Sequence, residues 1–482
     1  MPRSGRVLLL LLILLAAALR FPALFSNHFH ADEALFAAWA RLIAIWRDPL
    51  LLAQNVDKPP LLFYLQALAY PLFGPVEWAA RLPNLAASLL TIPLTAVLAW
   101  RFYHHTFTSL MAALIVVSSP LAIQFSATAF TDPLLTAWLM AALLWLALPA
   151  RPLWAGLFFG LAVLTKYQAW IFLPLALALA WLYDWQKWQW RRALLGFVPP
   201  LALFLLWQFL RSGRLDLWGE QLTNFGGLRL TWSFELLPRL ASWSTLWSLS
   251  LGSALLPVLF LVATLALWWQ SRGDPDRHSL VDRLLILFVL SYFGLHWLLA
   301  VPVWDRYLLP LLPLVALVIA RGAALLMERL PVSGRWALLP AALLLILMLL
   351  VQAPTALEAR AAGLPLGGSP DADQGAWQVA EYLDQAPYGT VLYDHWYSWH
   401  WRYSFIDKGV YISWFPHPQA LIKDLAVFGR DPGERFLVLP AGDQARPVLR
   451  AVAGAGFSAT PVLHTTASPG MILYRLRLAK GE

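Results

Sequence analysis

Seven charged residues of this chain stand beside long apolar runs: the acids Asp32, Glu33, Asp57 and Asp132, and the cations Lys58, Lys166 and Arg306. A charge at the centre of a membrane helix costs about 2.5–3.5 kcal/mol, so a chain this apolar keeps few of them without a use. This set suits one type of reaction. Transfer of a sugar from a lipid phosphate needs cations to hold the phosphate and stabilise the charge it keeps as it leaves. It also needs one carboxylate to take the proton of the acceptor hydroxyl. Phosphate leaves without protonation, which separates the set from glycoside hydrolysis with its two carboxylates around one bond. A lipid tail on the donor explains why the site belongs in a membrane.

Each residue also has a plainer reading. Asp32 and Glu33, in His28-Phe29-His30-Ala31-Asp32-Glu33, could cap and open a helix over residues 34–46. Asp132, just before Pro133, could cap a span whose first helical residue is that proline. Lys58, in Asp57-Lys58-Pro59-Pro60, could snorkel to headgroups. Arg306 could pair with its neighbour Asp305. Lys166 is harder to dismiss: Leu164-Thr165-Lys166-Tyr167 interrupts an apolar stretch over 154–182, and a cation so placed calls for an anion.

The elements that must position these side chains follow from composition. Of 482 residues, 60% are hydrophobic and only 13% charged, with a mean hydropathy of +0.62. This is a polytopic α-helical membrane protein. About eleven transmembrane helices are expected, at 7–25, 82–100, 109–127, 133–149, 154–165, 168–183, 193–210, 244–269, 284–302, 307–326 and 336–353. The first is read as a retained signal anchor rather than a cleaved signal ending near Ala16-Ala17-Ala18. The apolar stretch 59–74, broken by prolines, is read as interfacial or re-entrant. Trp181, Trp185, Trp188, Trp190, Trp268 and Trp269 gather near segment ends, as an aromatic belt does. The chain has no Cys, which excludes disulfides and thiolate metal sites.

Loop charge gives the orientation. With the N-terminus in the cytoplasm, the inner loops and inner span ends hold thirteen Lys and Arg, from Arg3 to Arg335, against five acids. The basic balance therefore reflects topology, and no nucleic-acid groove is present. In this orientation the seven charged residues all lie at outer ends of spans. Residues 1–353 are expected as the membrane domain, with an outer loop over 26–81, and 354–482 as a soluble extracytoplasmic domain. Within the latter, 363–370 reads as a linker, 376–384 and 420–428 as helices, and 390–393, 436–439 and 471–476 as strands. That alternation predicts a small α/β domain.

The short motifs His30-Ala31-Asp32-Glu33, Asp57-Lys58-Pro59-Pro60-Leu61, Ala80-Arg81-Leu82-Pro83, Thr131-Asp132-Pro133, Leu164-Thr165-Lys166 and Arg306-Tyr307-Leu308-Leu309-Pro310 occur in this order. The series resembles glycosyltransferase family 39, which holds the protein O-mannosyltransferases and the bacterial aminoarabinose transferase acting on lipid A. The resemblance covers roughly residues 1–330. It implies a GT-C fold, a polyprenyl-phosphate sugar donor and inverting transfer at the outer face of the cell membrane. It makes Asp32 the base and Asp132 a second acidic site residue beside Glu33, with Lys58, Lys166 and Arg306 on the phosphate. Asp57, Tyr307 and His30 are further site candidates. Two departures stand out: Asp57 replaces a Glu of the aminoarabinose transferase, and Tyr167 follows Lys166 where Gly is common.

The acceptor, whether lipid, glycan or protein, is open. A divalent ion near Asp32 and Asp57 is also open, and no cofactor is assigned. The aromatic stretch Tyr393-Asp394-His395-Trp396-Tyr397-Ser398-Trp399-His400-Trp401-Arg402-Tyr403-Ser404-Phe405 could touch a glycan, but packing within the protein or at the membrane surface is the favoured reading. A non-catalytic polyprenyl-lipid or glycan-binding protein is the principal alternative. A transporter is weaker, since its charges would lie near the midplane between repeats.

Overall fold

The computed structural model describes residues 1–148, 150–213, 229–272, 276–329, 338–367 and 371–479. Arg335, the start of the last expected span at 336–337 and the 368–370 end of the expected linker lie outside them. The chain forms two units, Met1–Ser26 with Trp46–Gly367, and Asn27–Ile45 with Gly368–Glu482.

The first unit is helical. It begins with α1 (Arg3–Arg20); the next helix, α2 (Ala31–Ala44), belongs to the second unit. Then follow α3 (Leu61–Phe73), α4 (Glu77–Tyr103), α5 (Thr106–Ser118), α6 (Pro120–Ser126), α7 (Asp132–Leu146) and α8 (Pro152–Thr165). A 3-10 turn leads into α9 (Leu173–Leu182), and α10 (Lys187–Ser212), α11 (Ser233–Leu251), α12 (Leu255–Gln270) and α13 (Arg277–Leu298) come next. A second 3-10 segment, Asp305–Leu311, opens α14 (Leu312–Glu328), and α15 (Leu338–Arg360) closes the unit.

Among the described residues, six helices are long and apolar enough to cross a membrane, or eight if each bent pair is one span. The segments 133–149, 154–165 and 168–183, expected as spans, form helices shorter than the roughly 20 residues of a full crossing. The stretch 59–74 forms the short apolar α3, which carries Pro71 in its last turn and ends at Gly74. The expected single span 244–269 is corrected: α11 and α12 meet at 98°. Gly252 ends α11 in the left-handed conformation at φ +78°, which glycine adopts without steric cost. A bend of 58° likewise separates α5 from α6, where Pro120 has no N–H to continue the helix.

Free backbone groups at such breaks need partners inside the protein. Buried Arg20 supplies them at the end of α5, donating to the carbonyls of Val116 and Val117 (both 2.9 Å) and to Ser88 Oγ. On α4, Asn84 Nδ2 donates to the carbonyls of Thr128 (2.7 Å) and Phe130 (2.5 Å), pinning the break before α7.

The helices α8 and α10 pack through glycines. A Cβ on Gly156 would lie 1.7 Å from the Ala193 carbonyl oxygen, and one on Gly196 2.0 Å from that of Leu153. Small residues let membrane helices approach at this distance. Gly156→Ala is therefore expected to force α8 and α10 apart, an overpacking of about 1–3 kcal/mol. A lower melting temperature of the purified protein checks this; an unchanged one would mean that the backbones separate without loss.

The second unit is a three-layer α/β domain. Its five-stranded sheet has the order β2-β1-β3-β5-β4, with β1 (Thr390–Asp394), β2 (Val410–Trp414), β3 (Arg435–Pro440), β4 (Phe457–His464) and β5 (Met471–Leu478). The strands β2, β1 and β3 run parallel, while β5 is antiparallel to β3 and β4. Strand side chains alternate between faces. Phe436 and Val438 join one core with Trp401, Leu392 and Val379, while Leu437 and Leu439 join the other with Leu421, Leu425 and Val452. The expected helices and strands are present, as α16 (Ala376–Tyr382), α18 (Pro418–Phe428), β1, β3 and β5. The short α17 (Ser398–Ser404), α19 (Arg446–Gly454), β2 and β4 complete the domain.

Candidate active site

In the first unit the charged side chains singled out from the sequence sit where helices begin or break. Asp132 is the first residue of α7, with Pro133 behind it, and Thr131 takes the cap position. The capping reading of Asp132 is thus displaced: its carboxylate, 1% exposed, pairs instead with Lys166 at 2.5 Å. Thr131 Oγ1 lies 3.4 Å from its other oxygen. Lys166 lies just past the end of α8, in extended conformation at φ −158° and ψ 137°. That break turns its ammonium onto Asp132 and over the Tyr307 ring, 5.1 Å from the centroid. A buried pair of this kind holds its place because losing either partner strands the other charge.

Arg306 and Tyr307 come from the 3-10 segment before α14. The Arg306 guanidinium lies over the rings of Trp304 (4.0 Å) and Phe130 (5.0 Å). Its neighbour Asp305 accepts from the Arg306 and Gly367 backbone N–H groups, each at 2.7 Å. Lys58 pairs with Asp57 at 2.7 Å, both partly exposed. Arg306 and Lys58 are close enough to act on the Lys166 ammonium by charge repulsion. Lys58 and Lys166 can take up a phosphate by exchanging carboxylate for phosphate oxygens, with the Arg306 guanidinium as a third cation.

Sequence reasoning passed over the wall behind Tyr307. Tyr292 and His296, one turn apart on α13, stack at 4.2 Å, and His296 Nδ1 lies 2.9 Å from the Tyr292 carbonyl oxygen. The Tyr292 hydroxyl donates to the Tyr307 carbonyl oxygen at 2.8 Å and is met by the Gln168 amide. The available signal was a histidine inside an apolar span, a feature that marks function by default.

The other predicted residues lie in the second unit. His30 caps α2, its Nδ1 accepting from the Asp32 N–H at 3.1 Å. The buried Glu33 carboxylate accepts from the His30 N–H at 3.0 Å, closing a capping box. Glu33 thus helps to fix the start of α2. Asp32 stands in the same first turn and is half-buried.

The aromatic stretch packs within this unit: Tyr393, Tyr397, Trp401, Tyr403 and Phe405 are buried. Part of the stretch meets α2 and the residues before it. His400 Nε2 lies 3.1 Å from the Phe29 carbonyl oxygen, Tyr403 sits edge-on to Phe29, and Arg41 pairs with Asp407 at 2.9 Å. Trp399 is 39% exposed and carries Arg402 over its ring. Trp399→Ala is expected to leave the melting temperature and any transfer rate within about twofold, as surface changes do. A loss of transfer alone, in a folded variant, would restore the glycan-contact reading.

Among the described residues no group of three or more His, Cys, Asp or Glu side chains is placed to hold a metal ion.

Residues 57–208 match the family described as dolichyl-phosphate-mannose-protein mannosyltransferase. An undecaprenyl phosphate-alpha-4-amino-4-deoxy-L-arabinose arabinosyl transferase of Pseudomonas aeruginosa (strain LESB58) is 30% identical over 326 residues. The match covers 58% of this chain, and the chain spans only 58% of that relative's length. Among solved structures, ArnT from Cupriavidus metallidurans superimposes with a TM-score of 0.67, both in the apo state at 16% identity and bound to undecaprenyl phosphate at 15%. The apo comparison covers 98% of each chain, and the bound one 100% of each. The Archaeoglobus fulgidus oligosaccharyltransferase follows at 0.59 and 12% identity, over 100% of this chain and 74% of that one. The resemblance to glycosyltransferase family 39 is thereby borne out, and the chain is a multi-pass membrane protein of the GT-C fold with a small C-terminal sheet domain.

Proposed function

We propose that this protein is a membrane glycosyltransferase that moves a sugar from a polyprenyl-phosphate donor to an acceptor hydroxyl at the outer face of the cell membrane. The observation that carries the reading is the buried Asp132–Lys166 pair, joined by Arg306 and Lys58 at one end of an apolar helical unit. The arabinosyl transferase relatives, whose names specify an undecaprenyl-phosphate-linked sugar, and the neighbour bound to undecaprenyl phosphate support the donor class. Loop charge supports a cytoplasmic N-terminus with the sheet domain outside.

Lys58, Lys166 and Arg306 hold the donor phosphate. Asp32, assigned on its motif, takes the proton of the acceptor hydroxyl. The freed oxygen attacks the anomeric carbon opposite the phosphate, the sugar–phosphate C–O bond breaks, and the phosphate keeps the electron pair. The configuration inverts. Asp132 and Tyr307 hold Lys166, and Asp57 holds Lys58, until the phosphate arrives. Glu33 and His30 fix the turn that bears Asp32.

The test is transfer of label from purified polyprenyl-phosphate sugars to a membrane extract, with wild type beside Asp32→Asn. Labelled product from the wild type alone supports the reading, and its chemistry identifies the acceptor. Binding of a donor without transfer would favour a non-catalytic lipid-binding protein.

A further inference from the structure

The first unit contains a cavity that the proposed reaction does not use. It has a volume of about 220 Å³ and lies between α9 and α10, floored by α8. Leu173, Ala176 and Leu177 line it from α9, and Trp190, Ala193, Leu194 and Phe197 from α10, each set with the spacing of one helix face. The glycine contact that presses α10 onto α8 involves two lining residues, Gly156 and Ala193, so the floor cannot rise to fill the space. Leu177 and Leu194 are about half exposed at its mouth. An engineered apolar cavity of about 150 Å³ stays dry and takes up benzene. This one is larger and, in a bilayer, opens onto hydrocarbon.

Charge decides what enters. Leu146, Trp185 and Trp190 line the cavity at the end where α7 and α9 finish and α10 begins. There Lys187, Arg191 and Arg192 lie exposed on the first turns of α10, and Arg192 covers the Trp188 ring at 5.4 Å. Asp132 opens α7 and Leu146 ends it. Fourteen residues at 1.5 Å each put the basic end about 20 Å along the axis from the Asp132–Lys166 pair. A donor headed at Lys166 would not bring its phosphate to that end, and the acid there, Asp184, pairs with Arg277 at 3.2 Å. We infer that the cavity is a structural lipid site, taking one acyl chain of an anionic phospholipid whose phosphate rests on Lys187 and Arg191. The inference stands on the cavity and its rim, independently of the transfer reaction.

The test uses the full chain in nanodiscs of dioleoyl phosphatidylglycerol or dioleoyl phosphatidylcholine, with lipid retained after mild extraction counted by native mass spectrometry. The wild type is expected to keep one phosphatidylglycerol and no phosphatidylcholine. Ala176→Phe, which fills the cavity, is expected to lose it. Because that variant could fail to fold, Lys187→Gln with Arg191→Gln is made at exposed positions. Each cation is worth about fivefold against an anionic headgroup, so the pair of changes is expected to lower the preference about thirtyfold. Equal retention of both lipids by the wild type, or unchanged retention in a folded Ala176→Phe variant, would overturn the proposal. So would stoichiometric displacement of the phosphatidylglycerol by undecaprenyl phosphate, which would make the cavity part of the donor site.

Discussion

Asp32→Asn is expected to abolish sugar transfer to within the assay's reach, a fall of at least about a hundredfold, while leaving the protein folded. General-base catalysis is worth about a hundred- to ten-thousandfold, and the amide of Asn cannot take the proton. Folding survives because the start of α2 is held by other groups. His30 accepts the Asp32 backbone N–H, and Glu33 accepts that of His30. The neighbouring variant makes the contrast. Glu33→Ala breaks the capping box and should lower the melting temperature by the equivalent of about 1 kcal/mol. Rate and melting temperature measured on both variants separate the roles. Near-normal transfer by Asp32→Asn would remove it as the base and return the turn to a purely structural part.

Lys166→Ala is expected to be the most damaging single change in the membrane unit. It leaves the Asp132 carboxylate, 1% exposed, without its cation, and breaking a buried pair on one side costs about 3–5 kcal/mol. It also removes one of the three cations proposed to hold the phosphate. These effects part in a double variant. Lys166→Met with Asp132→Asn removes both charges, so most of the melting temperature should return while donor affinity does not. Binding of a polyprenyl phosphate to detergent-purified protein reads the second quantity. Full recovery of donor binding in the double variant would mean that the pair serves only to hold α7 against the end of α8.

Much of this site was legible because burying charge is expensive. Lys166 interrupts apolar sequence on both sides, and that alone called for the anion that Asp132 supplies. Asp132 itself was less legible: Thr131-Asp132-Pro133 looks the same whether the carboxylate caps the helix or faces a lysine thirty-four positions on. Glu33 went the other way, into a capping box, because the first turn of a helix satisfies a carboxylate locally. Tyr292 and His296 were lost inside an apolar run that hydropathy treats as a span. Hydropathy also cannot see direction, so a run continuous through Gly252 was taken as straight. In the sheet domain, β4 carries Pro461, which weakens a strand pattern. The grouping of residues 27–45 with the C-terminal domain depends on contacts across more than 350 positions, which no local periodicity encodes.

That grouping bears on how the protein is made. Residues 27–45 leave the ribosome early, and α17, which packs on α2, is among the late arrivals. Until then Phe29 lacks Tyr403, Arg41 lacks Asp407 and His28 lacks Trp377. The sheet domain therefore closes after the helices of the first unit have been synthesised, and a nascent chain must keep α2 from wrong partners throughout. A fragment beginning at residue 371 would emerge incomplete, with the α17 surface uncovered, and a synthetic peptide of residues 27–45 is the piece that would complete it.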